Sequence, residues 1–231
     1  MLETPPVLTI RRPDRRPTEA QIAAFRGVPA SFVADAMGGT GSLATAIAPP
    51  GLGRDLPAAA VGPALTVENP PGDVLATVAA LRFLTPGDVL MAGVAGFDGC
   101  AAAGDLVVGM ARNAGAAGFV TDGPLRDYAA LIGVGLPVWC AGLNPASPSA
   151  RGPGRIGLPV VIGGRAVETG DMVIADRDGV VVVPYARIDA TLAALETVKT
   201  LEAGTERDVA EGATMLPGVA AILDSDQTRF V

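Results

Sequence analysis

The chain has 231 residues, nearly half of them apolar, which suffices for one domain with a substantial core. Its net charge of −7 disfavours nonspecific binding to nucleic acid, which depends on Lys and Arg meeting phosphates. It contains no histidine and one lysine, so Ser-His-Asp triads, histidine zinc ligands and histidine general bases are excluded, and a Schiff base would have to form on Lys199.

The first 17 residues are rich in Pro and Arg and predict an extended arm. Prolines interrupt its only basic cluster, so we expect these arginines to be solvated and not to form a binding surface. They are Arg11, Arg12, Arg15 and Arg16.

Periodicity and turn residues predict the elements that follow the arm. In chain order these are helices over 18–27 and 29–39, a strand over 59–69, a helix over 72–84, a strand over 86–94, a helix from Gly104 to Asn113, a strand over 118–123, a helix over 125–135 and a strand over 136–142. Residues 40–60 show no clear period. The alternation of strands and helices favours a single α/β domain with a mixed-sheet core.

The character of the chain changes after residue 142. Residues 144–157 predict a long loop, and residues 158–184 predict short strands separated by GG, TGD and RDG turns. Residues 186–204 predict a helix that ends near Gly204. We therefore expect an N-terminal arm (1–17), an α/β domain (18–205) and a C-terminal tail (206–231).

The sequence also bears on compartment and redox state. No apolar run reaches the roughly 18 residues that a membrane span requires. The N-terminus lacks the apolar segment and cleavage site of a secretion signal, so we expect a cytoplasmic protein with no membrane or nucleic-acid partner. Two cysteines are too few for a disulfide framework, and we expect Cys100 and Cys140 to be buried structural thiols.

One candidate site lies at the start of an apolar helix, at Gly104-Asp105. The backbone amides at such an end, here those of Leu106 and Val107, have no partner within the helix. Together with the helix dipole they favour an anion. The alternative is that Asp105 merely caps the helix.

A second candidate lies after the buried strand GFVTDG, where the chain turns through Arg126 and Asp127. Ligand sites in α/β sheets gather where strands end and helices begin. The guanidinium of Arg126 suits a carboxylate, and Asp127 offers oxygen to a hard cation. The alternative is an ordinary helix start with a surface ion pair. Taken together, the two segments favour a site for a 2-oxo acid and a metal such as Mg²⁺ or Mn²⁺.

The spacing of Asp105 from Arg126-Asp127 resembles the signature of the RraA-like family of class II pyruvate aldolases. This family includes 4-hydroxy-4-methyl-2-oxoglutarate aldolase and related oxaloacetate decarboxylases. The resemblance covers roughly residues 25–205. Its other segments are VADAMGG (33–39), VGPALTV (61–67), PGDVLMA (86–92), GAAGFVTDGPLRD (115–127), LPVWCAG (136–142) and the whole of 158–184.

The resemblance implies a single-domain, layered αββα-type sandwich with a mixed-sheet core that assembles as a homotrimer or hexamer. It further implies that Asp127 holds the metal directly and that Asp105 reaches it through water. Arg126 would stabilise a pyruvate enolate, while Gly104 and the amides of Leu106 and Val107 would bind the pyruvyl carboxylate. The implied reactions are retro-aldol cleavage of a 4-hydroxy-2-oxo acid and decarboxylation of oxaloacetate, which share this enolate.

The resemblance also implies a site between subunits that takes a glutamate from the neighbour's late helix. Three residues here are candidates, Glu196, Glu202 and Glu206, and we favour Glu202. The alternative is that they are solvated helix charges.

Two other functions compete with the lyase. One is that of a non-catalytic RraA-like regulatory protein that binds and inhibits a ribonuclease, although such a protein has no need of both acidic residues. The other is an S-adenosylmethionine-dependent methyltransferase. Its only sequence support is the glycine-rich segment GGTGSL (38–43), which a Pro-rich stretch follows where a helix would be needed.

Overall fold

The computed structural model of the protein describes residues 6–231. The strands are β1 (Leu8–Ile10), β2 (Ala60–Glu68), β3 (Val89–Gly93), β4 (Gly118–Thr121), β5 (Val138–Trp139), β6 (Gly154–Ile156), β7 (Val160–Ile162), β8 (Arg165–Val167), β9 (Met172–Asp176) and β10 (Gly179–Val183). The helices are α1 (Glu19–Phe25), α2 (Ala30–Ala36), α3 (Leu75–Ala80), α4 (Asp105–Asn113), α5 (Tyr128–Val134), α6 (Ile188–Ala210) and α7 (Pro217–Leu223). Short 3₁₀ turns lie at Pro50–Gly53, Leu81–Phe83 and Tyr185–Arg187.

Strand β2 belongs to both halves of a mixed sheet. Its second half, from Ala64, runs parallel to β3, and β3, β4 and β5 continue in parallel. Its last residues also pair antiparallel with β6, which runs parallel to β1. Its first half, from Ala60 to Pro63, pairs antiparallel with β9, and β9 forms a hairpin with β10.

Alternating side chains of the strands define the layers. In β3, Leu90 and Ala92 pack on α3, α4 and α5, while Val89 and Met91 face the other way into a second cluster. That second cluster lies between β3–β5 and β9–β10. The opposite face of β9, carrying Met172 and Ile174, packs on α1, α2 and α6. The molecule is therefore an αββα sandwich with a mixed sheet. The order of strands and helices predicted the mixed-sheet core, and the family resemblance implied the layers.

The long loop predicted over 144–157 is wrong at its end, because residues 154–156 form β6. Gly154 makes this pairing possible, since a Cβ there would lie 2.5 Å from the Cβ of Ala76. The predicted helix end near Gly204 is also wrong, because α6 continues to Ala210. Glycine in a helix interior costs only about 1 kcal/mol relative to alanine, which the remaining turns offset.

The N-terminal arginines were expected to be solvated, but two of them bind buried aspartates. Arg15 pairs with Asp171 at 3.4 Å and with Glu168 at 2.8 Å, and Arg16 pairs with Asp88. Burial raises the pKa of both Asp88 and Asp171, although backbone amides and the two guanidiniums act in the opposite direction. The arm thus neutralises two carboxylates that the strands leave at the rim of the core, and Leu8–Ile10 extends the sheet as β1.

The thiols follow the expectation in part. Cys140 is buried, and burial raises the pKa of its thiol, whereas Cys100 is half-buried. Within residues 6–231, no helix combines the length and apolar character needed to cross a membrane.

Candidate active site

Gly104 is the point at which the two predicted segments meet. A Cβ built on this residue would lie 2.6 Å from Oδ2 of Asp127 and 3.0 Å from both Cγ and Nε of Arg126. Glycine therefore allows the start of α4 to lie directly against the Arg126-Asp127 pair without displacing either side chain. The structure thus brings Gly104, the first residue of α4 (Asp105) and the Arg-Asp pair into one place.

Backbone pairing beyond the ends of the strands sets this contact. The amide of Ala102 donates to the carbonyl of Pro124 at 2.7 Å, and the amide of Arg126 donates to the carbonyl of Ala103 at 3.2 Å. An isolated parallel bridge joins Ala103 to Leu125. Because β3 and β4 are parallel neighbours, the segments leaving their carboxyl ends emerge on the same edge of the sheet.

Asp127 has a left-handed backbone, with φ 59° and ψ 43°. A residue other than glycine adopts this conformation at a cost of about 1 kcal/mol, and such residues cluster at functional sites. Asp127 is the N-cap of α5, yet its side chain makes no capping hydrogen bond. Its carboxylate is instead 43% exposed and lies 3.0 Å from Nε of Arg126. The carboxylate thus pairs with Arg126 and is also accessible from solvent.

The guanidinium of Arg126 is held on several sides. Its Nη1 donates to Oγ of Ser147, and its stem lies against Gly104. Its Nε is buried and, within residues 6–231, has no acceptor with hydrogen-bond geometry, although the Asp127 carboxylate is near. Sequence reasoning missed Ser147, because it lies in the loop ASPSARG and no motif or period marks it.

The start of α4 offers the amides on which the anion hypothesis rests. Its N-cap is Gly104, which has no side chain to accept from them, and the first amides of a helix have no acceptor within it. Asp105 and Val107 are half-buried, and the side chain of Leu106 is exposed. The helix dipole adds positive potential at the same end.

A cavity of about 740 Å³ opens near the same edge of the sheet, but none of Gly104, Asp105, Arg126 and Asp127 lines it. Its polar groups are Asp122 and an ion pair of 2.7 Å between Arg155 and Glu68. Asp122 accepts hydrogen bonds from the amides of Val94 and Gly96, while burial raises its pKa. Its visible role is to hold the turn that follows β3.

The positions of the acidic residues bear on the predicted metal site. Across residues 6–231, no three acidic or cysteine side chains lie close enough to hold an ion. Asp105 and Asp127 carry the two carboxylates that were predicted to hold the metal, and Mg²⁺ keeps several waters and takes one or two protein carboxylates plus substrate oxygens.

The three candidate glutamates lie on α6, outside any such cluster. Glu196 is exposed and bonds to Lys199 at 3.0 Å. Glu202 and Glu206 follow the buried Leu195 on the same face of the helix, because the residues stand about two and three turns apart. Glu202 is half-buried and Glu206 is exposed.

The αββα sandwich, with an Arg-Asp pair beside a helix start, places the protein in the α/β class. Its family follows from its similarity to known proteins. The sequence model of the RraA-like family, described as Aldolase/RraA, matches residues 30–182. The chain belongs to this family.

Relatives and solved structures agree with this assignment. The chain is 34% identical over 190 residues to a protein of Halalkalibacterium halodurans named "Putative 4-hydroxy-4-methyl-2-oxoglutarate aldolase". The aligned region covers 82% of this chain and 89% of that protein. The structure of Streptomyces coelicolor RraAS2, described as an unusual member of the RNase ES inhibitor RraA protein family, is 28% identical, with a TM-score of 0.69 over 83% of this chain and 99% of that one. An uncharacterized protein from Pseudomonas syringae is 24% identical and shares the fold, with a TM-score of 0.75 over 87% of this chain and 92% of that one.

Proposed function

We propose that the protein is a divalent-metal-dependent carbon-carbon lyase that releases pyruvate from a 4-hydroxy-2-oxo acid, from oxaloacetate, or from both. The observation that carries the proposal is the contact of Gly104 with Arg126 and Asp127. This contact supports the proposal because it groups a guanidinium, a partly exposed carboxylate and a helix N-terminus, which a metal-assisted site for a 2-oxo acid would use. The aldolase name of the H. halodurans relative supports the same reaction class.

The residues fit a hard divalent ion such as Mg²⁺ or Mn²⁺. Asp127 would hold it directly and Asp105 would hold it through water, and both offer the oxygen ligands that such ions prefer. When bound, the ion supplies a Lewis acid that offsets negative charge on the 2-oxo group.

The protein groups bind and orient the 2-oxo acid. The amides of Leu106 and Val107, at the positive end of α4, would bind the substrate carboxylate. The guanidinium of Arg126 would lie beside the 2-oxo oxygen, where negative charge develops as the bond between C3 and C4 breaks. The electron pair of that bond enters the enolate of pyruvate.

Proton transfer completes the reaction. A retro-aldol cleavage removes a proton from the 4-hydroxyl group, and decarboxylation of oxaloacetate releases carbon dioxide instead. In both reactions C3 of the enolate then gains a proton to give pyruvate. Asp105 would position the water that exchanges these protons. Neither histidine nor lysine is needed, which suits this sequence.

The proposed assembly is a homotrimer or hexamer in which Glu202 reaches the site of a neighbouring subunit. The buried side chains of α6 end at Leu195, and beyond it Leu201 and Val209 are 65% and 60% exposed. Glu202 is itself half-buried, but it lies beside the exposed Leu201, which a neighbouring subunit would cover. This arrangement would supply the third carboxylate that one chain lacks.

Pyruvate release from oxaloacetate tests the proposal directly. We expect turnover with Mg²⁺ or Mn²⁺, loss of turnover with EDTA, and loss of about a hundredfold or more in Arg126→Ala and in Asp127→Ala. The matched control is Arg112→Ala, an exposed arginine at the other end of α4. A folded wild-type protein without turnover on oxaloacetate or 4-hydroxy-2-oxo acids would contradict the lyase.

The second candidate function is that of a non-catalytic ribonuclease inhibitor, which the likeness to RraAS2 favours. The same variants separate the two functions. Binding to an RNase E-type enzyme that survives Arg126→Ala and Asp127→Ala, in the absence of any turnover, would favour the inhibitor.

A further inference from the structure

Residues 144–151 form a segment, the strap, that contacts the candidate site where Ser147 meets Arg126. The strap is fixed on both sides of Ser147. On one side, the side-chain amide of Asn144 donates to the carbonyl of Asp98 at 2.7 Å, and the carbonyl of Ala146 accepts from the amide of Ala101 at 3.0 Å. Both partners belong to the segment that leads into α4. The strap is therefore attached to one wall of the site.

On the other side, the strap is attached to the buried Asp73. This carboxylate accepts from Oγ of Ser149 at 2.7 Å and from the amide of Arg151 at 2.6 Å. Burial acts to raise the pKa of Asp73, but these hydrogen bonds, with one from the amide of Leu75, lower it overall. The strap is thus held by a charged acceptor, for which hydrogen bonds are stronger than between neutral groups.

Between these two attachments lies Ser147, whose Oγ accepts from Nη1 of Arg126. Within residues 6–231, this is the one hydrogen bond that the guanidinium makes. A guanidinium has five N–H donors in a rigid plane, so a single fixed acceptor, together with the contact of its stem on Gly104, sets the orientation of the others.

We propose that Ser147 is a positioning residue, which holds the guanidinium of Arg126 in the orientation that stabilises the enolate. This inference rests on the proposed lyase function. The strap supplies the rigidity, Ser147 supplies the acceptor, and Arg126 meets the substrate. Ser147 acts through Arg126, so its effect is greatest where charge develops in the transition state.

The test compares Ser147→Ala, which removes the acceptor, with Ser147→Thr, which keeps it. With oxaloacetate and Mg²⁺, we expect Ser147→Ala to lower kcat by about ten- to a hundredfold, with a smaller change in KM, and Ser147→Thr to recover most of the loss. Oxalate is a planar dianion shaped like the pyruvate enolate. Its inhibition constant should rise in Ser147→Ala by about the same factor as kcat/KM falls.

A double-mutant cycle distinguishes positioning from a general loss of structure. In an Arg126→Ala background, Ser147→Ala should change the affinity for oxalate less than twofold by calorimetry, because its partner is absent. A fall in melting temperature with an unchanged kcat, or equal effects of Ser147→Ala with and without Arg126, would overturn the role of Ser147 alone. A wild-type protein that neither releases pyruvate nor binds oxalate would overturn the proposed function and this inference with it.

Discussion

Replacing Gly104 with alanine tests the geometry of the site through a single methyl group. The new Cβ would lie 2.6 Å from Oδ2 of Asp127, about 0.8 Å short of an ordinary contact, which begins at 3.4 Å. It would also press on Arg126 at 3.0 Å. The flexible end of a side chain gives way more easily than backbone, so we expect the carboxylate and the guanidinium to move while the fold remains.

A displacement of this size has a calculable effect on the reaction. Misplacing a reacting group by about 1 Å can cost a hundredfold in rate, which corresponds to about 2.7 kcal/mol of transition-state stabilisation. We therefore expect Gly104→Ala to lower kcat/KM for oxaloacetate by about a hundredfold. Stability should fall by only about 1 kcal/mol or less, because φ at Gly104 is −128° and the main loss is a poorer helix cap.

The assay is steady-state pyruvate release, with the melting temperature measured on the same samples. The matched control is Gly109→Ala in the same helix, where the new Cβ would meet only Cγ2 of Val134 at 3.8 Å. That variant should keep full activity and gain about 0.5–1 kcal/mol of stability. If Gly104→Ala retains kcat/KM within about threefold of the wild type, the argument from the Gly104 contact is refuted.

Two further predictions concern the arm and the subunit interface. Removing Arg16 leaves Asp88 buried without its cation. Arg16→Ala should therefore lower the free energy of unfolding, measured with urea at about pH 7.5, by about 1–3 kcal/mol. Arg12→Ala, at an exposed arginine, should lower it by less than about 0.5 kcal/mol. Burial already raises the pKa of Asp88, and the neutral acid needs no cation. The loss should therefore shrink as the pH falls toward that pKa, and a loss that grows in acid would contradict this. If Glu202 acts across an interface, mixed oligomers of Arg126→Ala and Glu202→Gln should regain activity at up to about a quarter of their sites, because a site then needs one subunit of each kind in the right order. Mixtures that exchange subunits but stay inactive would exclude this role.

The sequence by itself determined the class of fold and limited the chemical groups available to a site. The apolar run in 86–94 and the short apolar segments between turns in 158–184 predicted the strands, because a sheet packed on both faces requires apolar residues at nearly every position. The absence of histidine left carboxylates and arginine as the available groups. Asp105 and Arg126-Asp127 became candidates because one stands at a helix start and the others follow a buried strand, and because their spacing resembles the signature of the family.

The tertiary structure decided what depends on contacts between distant segments. Three residues of β6 are too few to show a period, and its strand state comes from pairing with β1 and β2. Arg16 resembles any exposed arginine until Asp88 lies beside it. Ser147 stands 21 positions from Arg126, and only the strap brings the two together. Local sequence records the preference of each segment for helix or strand, but not which distant group will lie against it.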